Sequence, residues 1–248
     1  MNDRQSRILA IMAERKRVTV AELATELQVS EVTTRKDLSQ LEAKGLLQRE
    51  HGYASLRGSD DVGNRLSVNY DLKRRIAQKA AESVRDGETV MIESGSCCAL
   101  LAEELLAQRR DITVITNSVF IATYVRKQPN AHIILLGGEM QNESQVMVGP
   151  LVKKCVESFY VNKLFVGTDG FNDFGSMSSD LMRAEAVRNM ADNAKQAVIL
   201  TESVKFSQTG VVPLFSYSEI SSIYTDDKIT EDVMDNLRKQ DIETCIVS

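Results

Sequence analysis

The chain has 248 residues, of which 43% are apolar and 26% are charged, and its formal net charge at pH 7 is −5. This length and composition indicate one small and one medium-sized globular domain and argue against a disordered chain. No apolar run approaches the length of a membrane span and no signal peptide begins the sequence, so we expect a cytoplasmic protein that makes no membrane contact.

Residues 1–57 have the pattern of a winged helix-turn-helix domain. Apolar residues at helical spacing predict helices over 4–14 and 20–27, with a short strand over 17–19 between them. A turn at 28–30 leads into a third helix, for which Ser30 is a good N-cap and Gly45 a stop signal. Two short strands, 46–49 and 53–56, form the predicted wing.

The third helix is predicted to enter the major groove of DNA, because two short helices joined by a tight turn are the helix-turn-helix arrangement. Thr34, Leu38 and Leu41 lie on one stripe of this helix, and donors to phosphates and base edges lie beside it. The predicted DNA contacts are Ser30, Thr33, Thr34, Arg35, Lys36 and Gln40, with Arg49 and His51 in the wing. A winged helix that binds protein is the alternative interpretation.

Charge separates the two parts of the chain. Residues 1–57 carry ten Lys and Arg against eight Asp and Glu, a net charge of +2, whereas the remaining residues have a net charge of −7. Because a basic footprint is local, the acidic total does not exclude double-stranded DNA as a partner. A charge of +2 is modest, so several copies are expected at each DNA site, which predicts a homodimer or homotetramer.

The remaining chain predicts a linker followed by an α/β domain. Residues 58–69 are polar with little periodicity, typical of a linker, and a helix is predicted over 70–85. Short apolar strands then alternate with helices, which indicates a parallel sheet covered on both faces over 70–248. The strands are predicted at 89–92, 112–115, 133–136, 164–166, 197–200, 222–224 and 244–247, and the helices at 97–107, 118–127, 180–194 and 230–240.

Small, hydroxyl-bearing or charged residues follow five of these strands. Ligands of parallel sheets bind beyond the carboxyl ends of the strands, and free N–H groups at helix starts favour anions. The residues concerned are Gly95, Ser96, Thr116, Asn117, Ser118, Gly137, Gly138, Asp169 and Lys205. Each alone is more typical of an ordinary turn or cap, but their convergence on one sheet edge favours a small, polyhydroxylated, phosphorylated ligand.

The cysteines and histidines predict neither a disulfide framework nor a metal centre. Cys97, Cys98, Cys155 and Cys245 form no Cys-x-x-Cys pair, and His51 and His132 stand far apart in the sequence. Cys97 and Cys98 stand at a helix start, where a thiol pKa can fall, but simple packing of small side chains is the favoured interpretation. We expect buried, reduced thiols, no metal and no cofactor.

The segment 18–52, VTVAELATELQVSEVTTRKDLSQLEAKGLLQREHG, resembles the N-terminal signature of the DeoR/GlpR family of bacterial transcriptional regulators. The family pattern runs Val-Ser-x-x-Thr-Ile-Arg-Arg-Asp-Leu and ends in His-Gly-Gly. The chain departs from it at Thr34, which replaces Ile, at Lys36, which replaces Arg, and at Tyr53, which replaces the second Gly. Lys36 keeps the charge but loses the two-pronged Arg geometry, so no operator preference carries over.

The second part is similar to the DeoR-type sensor domain, which shares its fold with ribose-5-phosphate isomerase. The motifs that carry this resemblance are the acidic-x-Gly-Ser loop, Thr-Asn-Ser, Gly-Gly, Val-Gly-Pro, Asp-Gly and Lys-Phe. The resemblance implies a phosphorylated sugar effector, with Gly95, Ser96, Thr116, Asn117 and Ser118 around the phosphate, Asp169 and Lys205 at the sugar, and Glu185 as a weaker candidate. Glu93, Cys97 and Glu202 replace the usual Asp, hydroxyl residue and Asp.

We therefore predict a transcriptional regulator, a repressor of a carbohydrate-metabolism operon, that a phosphorylated sugar or polyol releases from DNA. One alternative is a sugar-phosphate isomerase with an attached DNA-binding domain, for which Asp169 would be the general base. A second alternative is a nucleoid or scaffold protein without an effector. The identity of the sugar, the operator and the choice between repressor and activator stay open.

Overall fold

The computed structural model describes residues 1–56 and 61–248. The chain divides into two compact units, Met1–Asp71 and Leu72–Ser248. The predicted domain end at residue 57 and the first residues of the predicted linker, 58–60, lie outside the described residues. Among the described helices, none has both the length and the apolar character needed to cross a membrane.

The first unit contains the predicted helices and a three-stranded antiparallel sheet. Its elements are α1 (Asp3–Arg15), β1 (Arg17–Thr19), α2 (Val20–Leu27), α3 (Glu31–Ala43), β2 (Gln48–Glu50), β3 (Tyr53–Ser55) and α4 (Val62–Ser67). The strand order is β1-β3-β2, so the central strand β3 joins the wing hairpin to the strand before α2. Ile8, Leu23 and Leu38, one from each of the first three helices, are fully buried and form its core.

The predicted ends of α3 are confirmed. The Ser30 hydroxyl accepts a hydrogen bond from the backbone N–H of Thr33 at 3.2 Å, as an N-cap does. At the other end Gly45 has a φ of +75°, a left-handed conformation that glycine adopts without steric cost. The turn and the recognition helix therefore follow from local chemistry that the sequence displays.

The prediction of an irregular linker is wrong for residues 62–67, which form α4. Asp61 caps this helix by accepting from the N–H of Asn64 at 3.2 Å, and Val62 and Leu66 are fully buried. Gly63 packs so tightly that a Cβ there would lie 2.5 Å from the carbonyl oxygen of Gly45. A six-residue helix has too few turns to show periodicity, and tertiary packing stabilises it.

The second unit is an α/β domain. In chain order its strands are β4 (Thr89–Ile92), β5 (Thr113–Thr116), β6 (His132–Leu135), β7 (Glu139–Gln141), β8 (Val146–Val148), β9 (Val161–Val166), β10 (Gly170–Phe171), β11 (Gly175–Ser178), β12 (Ala194–Leu200), β13 (Val212–Ser216), β14 (Ile220–Asp226) and β15 (Glu243–Val247). Its helices are α5 (Tyr70–Ala81), which begins in the first unit, α6 (Ser96–Gln108), α7 (Val119–Val125), α8 (Pro150–Val156), α9 (Leu181–Ala191) and α10 (Glu231–Lys239).

All seven predicted strands lie in one parallel sheet, which confirms the α/β fold class. The strand order is β15-β14-β12-β9-β4-β5-β6. The order changes direction at β4 and β9, which are neighbours although far apart in sequence. In open α/β sheets, the loops at the carboxyl ends of such strands are where ligands bind.

Two small antiparallel sheets were not predicted. One is the hairpin β7–β8, and the other has the order β10-β11-β13. These strands have two to five residues, too few for a clear apolar alternation, and β13 contains Pro213. The Phe171 ring of β10 stacks on Phe206, with centroids 4.3 Å apart. The second sheet thus holds the loop that carries Lys205 beside the end of β9.

Candidate functional site

The exposed face of α3 presents the cations that the sequence predicts there. Arg35 and Lys36 are exposed, and the Arg35 guanidinium lies 2.6 Å from the Glu31 carboxylate one turn earlier. An exposed ion pair of this kind contributes little to stability, so Arg35 and Lys36 can both bind an approaching phosphate. The Ser30 and Thr33 hydroxyls lie 3.0 Å apart at the start of the helix.

Val32 is a contact candidate that the sequence analysis missed. Its side chain is 75% exposed on the first turn of α3, although an apolar residue on a short helix is normally assigned to the core. Side chains near the start of a recognition helix contact base edges, and an aliphatic group there can contact a thymine methyl group. The sequence signal that could have identified Val32 is its position two residues after the N-cap of a polar helix.

The prediction that Thr34 contacts DNA is wrong. Thr34 has no exposed surface, and its hydroxyl donates to the carbonyl oxygen of Ser30 at 3.2 Å. It lies on the buried stripe with Leu38 and Leu41, which faces the core of the first unit. Gln40 is exposed, but its side-chain oxygen accepts from Gln5 at 2.5 Å, so it also helps to join α3 to α1.

Hydrogen bonds join the wing to α3. The Arg49 guanidinium donates to the Ser39 hydroxyl at 2.5 Å, and the Arg49 backbone N–H donates to Glu42 at 3.0 Å. His51 is exposed in the turn, where Gly52 has a φ of +82°. Arg49 is exposed as well, so the wing and α3 present their cations as one surface.

The loops at the carboxyl ends of β4 and β9 are joined by Glu93. Its carboxylate is nearly buried and accepts from the Ser94 hydroxyl, from the N–H of Gly95 at 2.8 Å and from the N–H of Gly167 at 3.1 Å. A Cβ at Gly95 would lie 3.1 Å from the Cα of Gly167, so this approach requires small residues. The Glu that replaces the family's usual Asp therefore positions two predicted ligand loops.

The helix α6 starts at this meeting point. Gly95 is its N-cap, and no side chain caps the helix. The first N–H groups of a 13-residue helix at a sheet edge, with the positive end of the helix dipole behind them, attract an anion. Ser96 is half-buried on the first turn and adds a hydroxyl.

Thr116, Asn117 and Ser118 are structural in this conformation, because none has exposed surface. The Thr116 hydroxyl accepts from the N–H of Ser118 at 3.1 Å, and the Ser118 hydroxyl caps α7 through the N–H of Ile121 at 3.1 Å. Asn117 Nδ2 donates to the carbonyl oxygen of Met147 at 3.1 Å. Within the described part of the chain the buried Asn117 Oδ1 has no hydrogen-bond partner. The prediction of three open phosphate contacts is wrong for this conformation.

The two glycines after β6 differ from each other. A Cβ at Gly138 would lie 2.6 Å from the carbonyl oxygen of Val148, so Gly138 permits the hairpin β7–β8 to approach. Gly137 is exposed, and a Cβ there would meet only the Cys155 sulfur, at 3.6 Å. Gly138 thus has a packing role, and Gly137 is free to approach a ligand.

Asp169 and Lys205 both lie at the carboxyl-end edge, next to each other in strand order. Asp169 Oδ2 accepts from the backbone N–H of Ser179 at 2.7 Å, and Lys205 Nζ donates to the Gln208 side chain at 2.9 Å. Both are half-buried. Glu185 lies on the exposed side of α9. The loop carrying Lys205 is held in turn by Asp226, whose carboxylate accepts from the N–H and the hydroxyl of Ser203, each at 2.7 Å.

A buried ion pair beside this edge was not predicted. Lys73 of α5 lies 3.2 Å from Glu202, and the two side chains are only 5% and 11% exposed. Burial raises the pKa of the neighbouring Cys97 thiol to about 12, and Lys73, Glu202, Asp226 and Lys205 all act on it electrostatically. These charged groups therefore lie within electrostatic range of the first turn of α6. The sequence signal was Lys73 on the apolar side of a helix.

A concave region lies at the edge of the sheet opposite to the predicted effector loops. A cavity of about 430 Å³ there is lined by polar residues at the amino-terminal ends of β4, β9 and β12, including Arg85, Lys163 and Lys195. Lys163 is already paired with Glu88 at 2.9 Å. No residue that was predicted to bind the effector lines it.

Two family models match the chain. Residues 4–59 match the DeoR-like helix-turn-helix domain, and residues 68–227 match the DeoR C terminal sensor domain. The L-fucose operon activator of Haemophilus influenzae is 28% identical over 251 residues, covering 99% of this chain and 100% of that protein. The glycerol-3-phosphate regulon repressor of Escherichia coli is 26% identical over 227 residues, covering 90% of each chain.

Two further comparisons concern a third regulator and a solved structure. The HTH-type transcriptional regulator GolR of Listeria innocua is 29% identical over 234 residues, covering 92% of each chain. Among solved structures, a ribose 5-phosphate isomerase of Methanocaldococcus jannaschii covers 56% of this chain, and 55% of the isomerase chain is covered. It shares 19% identity with a TM-score of 0.42.

Proposed function

Because this chain belongs to the DeoR family of transcriptional regulators, we propose that it represses a carbohydrate-metabolism operon and is released from DNA by a phosphorylated sugar or polyol. The observation that carries the effector part is the start of α6. The N-cap Gly95 has no side chain, the loops of β4 and β9 meet there through Glu93, and Lys73 and Lys205 act electrostatically on Cys97 in the first turn. The family and its relatives are regulators, so the isomerase alternative is not retained.

For DNA, we propose that α3 occupies the major groove. Arg35 and Lys36 donate to phosphates and base edges, Val32 contacts a thymine methyl group, and Ser30 and Thr33 contact the backbone beside the helix start. Arg49 and His51 contact the backbone from the wing. The exposure of these residues and the fixed position of the wing against α3 support this assignment. The small net charge of residues 1–57 supports binding as a homodimer or homotetramer.

For the effector, we propose that its phosphate binds the first N–H groups of α6, with Gly95 and Ser96 in contact. Asp169 and Lys205 then hold the hydroxyl-bearing end, and Gly137 approaches it from β6. Within the described residues the buried Asn117 Oδ1 has no hydrogen-bond partner, which is unusual in a protein core. This observation supports a ligand hydroxyl that donates to Asn117 near β5. Reaching it requires the Thr116–Ser118 loop to open.

For the coupling between the two events, we propose α5. The chain passes through this helix from the first unit to the second, and its Lys73 is buried against Glu202, one residue from the loop that carries Lys205. An effector that prefers one arrangement of this loop shifts the population of α5 with it. The coupling can change DNA affinity only by the difference in effector affinity between the two arrangements.

The test combines two measurements on the full chain. Thermal unfolding is recorded with inorganic phosphate, glycerol 3-phosphate, ribose 5-phosphate and hexose phosphates, where a ligand at 100 times its Kd stabilises by about 2.7 kcal/mol. Band-shift then follows DNA from upstream of the chain's own gene, with and without each compound. Release by a compound that also raises the melting temperature supports the proposal. DNA binding that ignores every compound would point to a nucleoid or scaffold role instead.

A further inference from the structure

The outer face of the wing sheet carries three exposed side chains that touch one another. Arg17 in β1 and Tyr53 in β3 lie on the same face, because Arg17 pairs with Ser55 and Thr19 pairs with Tyr53. Glu50 in β2 is directly opposite Tyr53. The other face of these strands holds Val18 and Ala54, which are buried. The three side chains meet on this outer face, although Arg17 lies two residues farther from the wing turn than Tyr53 and Glu50 do.

The contacts within this group are specific. The Arg17 guanidinium carbon lies 4.3 Å from the centre of the Tyr53 ring, which is a cation–π distance. One guanidinium nitrogen of Arg17 lies 3.6 Å from the Glu50 carboxylate, and both side chains are 59% exposed. Tyr53 stands where the family pattern has glycine, so the aromatic platform is a feature of this chain.

An exposed ion pair alone is commonly a solvated surface feature with little effect. Here the ring also confines the guanidinium, and a group held in its bound geometry loses less entropy when it binds. The wing is hydrogen-bonded to α3, because Arg49 donates to Ser39 and to Glu42, and Arg17 belongs to the same compact unit as the recognition helix. A cation near the wing turn also offsets Glu50, the acid that would otherwise repel a phosphate there.

We propose that Arg17, stacked on Tyr53, contacts a DNA backbone phosphate at the wing, and that Glu50 is the partner this phosphate replaces. The guanidinium suits the site because it stacks and donates to phosphate at the same time. The contact carries no base information, so it strengthens binding to every duplex sequence equally. Arg17 is a positioning and affinity residue of the wing, additional to Arg49 and His51.

The experiment measures the affinity of the full chain for fluorescent duplexes by anisotropy as a function of salt. One duplex comes from upstream of the chain's own gene and one is unrelated, and low salt makes both measurable. For Arg17→Gln, the slope of log affinity against log salt should become less steep by about 0.9 for each bound copy. The loss should be equal on both duplexes.

Three further variants make the result specific. Tyr53→Thr keeps a good strand residue but removes the ring, and should weaken binding without changing the slope as much as Arg17→Gln does. Tyr53→Phe keeps the ring and should bind like the wild type. Glu50→Gln removes the acid that repels a phosphate at the wing and should bind more tightly at low salt.

Arg238→Gln is the matched control. Arg238 is also 59% exposed and paired with acids, Glu231 and Asp235, but it lies in the second unit, and its loss changes the net charge equally. Equal slopes for Arg17→Gln and Arg238→Gln would overturn the proposal, as would a weaker-binding Glu50→Gln. An unchanged melting temperature in each variant shows that the fold is retained.

Discussion

The two sets of predicted contact residues differ in whether solvent reaches them. On α3, Arg35 and Lys36 are exposed, whereas Thr116, Asn117 and Ser118 in the second unit have no exposed surface. The reason is physical. A surface helix always turns one side to solvent, but a loop between a sheet and its covering helix must first satisfy its own buried backbone groups. The Thr116 and Ser118 hydroxyls do that in the second unit, so they are not available to a ligand in this conformation.

The largest effect is expected from the buried Lys73–Glu202 ion pair of the second unit. Glu202→Gln removes the carboxylate that lies 3.2 Å from the buried Lys73 ammonium, and should reduce the stability of the second unit by about 3–5 kcal/mol. The urea unfolding transition of the second unit measures this change in the free energy of unfolding. The control is Glu82→Gln, which breaks the exposed Lys79–Glu82 pair and should leave the stability nearly unchanged. Equal stability of the two variants would show that burial does not strengthen the Lys73–Glu202 contact.

The next effect separates DNA binding from effector response. Arg35→Ala should weaken DNA binding by about 1–3 kcal/mol and leave the thermal shift with a phosphorylated ligand intact. Lys205→Ala should do the reverse, because it removes a cation from the effector edge and none from α3. Band-shift and thermal unfolding on both variants measure this. Loss of DNA binding in Lys205→Ala would contradict the division of labour between the two units.

A smaller effect tests whether Ser118 is structural. Ser118→Ala removes the N-cap of α7 and should reduce stability by about 1 kcal/mol, whereas Ser118→Gly should restore most of it, since glycine is a tolerated N-cap. Effector-induced thermal shifts of the two variants then discriminate. If the hydroxyl only caps the helix, Ser118→Gly responds like the wild type. Loss of response in a stable Ser118→Gly would restore Ser118 as a ligand contact.

The smallest effect is expected at Cys97. Its pKa is raised to about 12 by burial, so the thiol stays protonated in the folded chain at pH 8. A thiol reagent should label Cys97 much more slowly than the partly exposed Cys245, and equally fast after unfolding. Because the unfolded thiol ionises first, the Cys97 contribution to stability should be lost as pH rises through 9 towards 12. The variant Cys97→Ala should show a smaller loss over that range.

Much of the architecture follows from local sequence. The Ser30 cap, the Gly45 stop and the apolar stripe of α3 are properties of a few neighbouring residues, and the seven strands of the parallel sheet are continuous apolar runs. These signals survive folding because helical periodicity and continuous apolar runs are properties of neighbouring residues. The sequence therefore determined both fold classes and the order along the chain of the first three helices and of the seven parallel strands.

Only the tertiary structure decided which polar residues remain available. Val32 is exposed although it is apolar, Thr34 is buried although it is polar, and Lys73 is buried although lysine is normally a surface residue. The helix α4 depends on packing against α1 and Gly45, and the meeting of Arg17 with Tyr53 depends on β3 joining two distant strands. Burial and pairing are set by residues far apart in the chain, so no local pattern contains them.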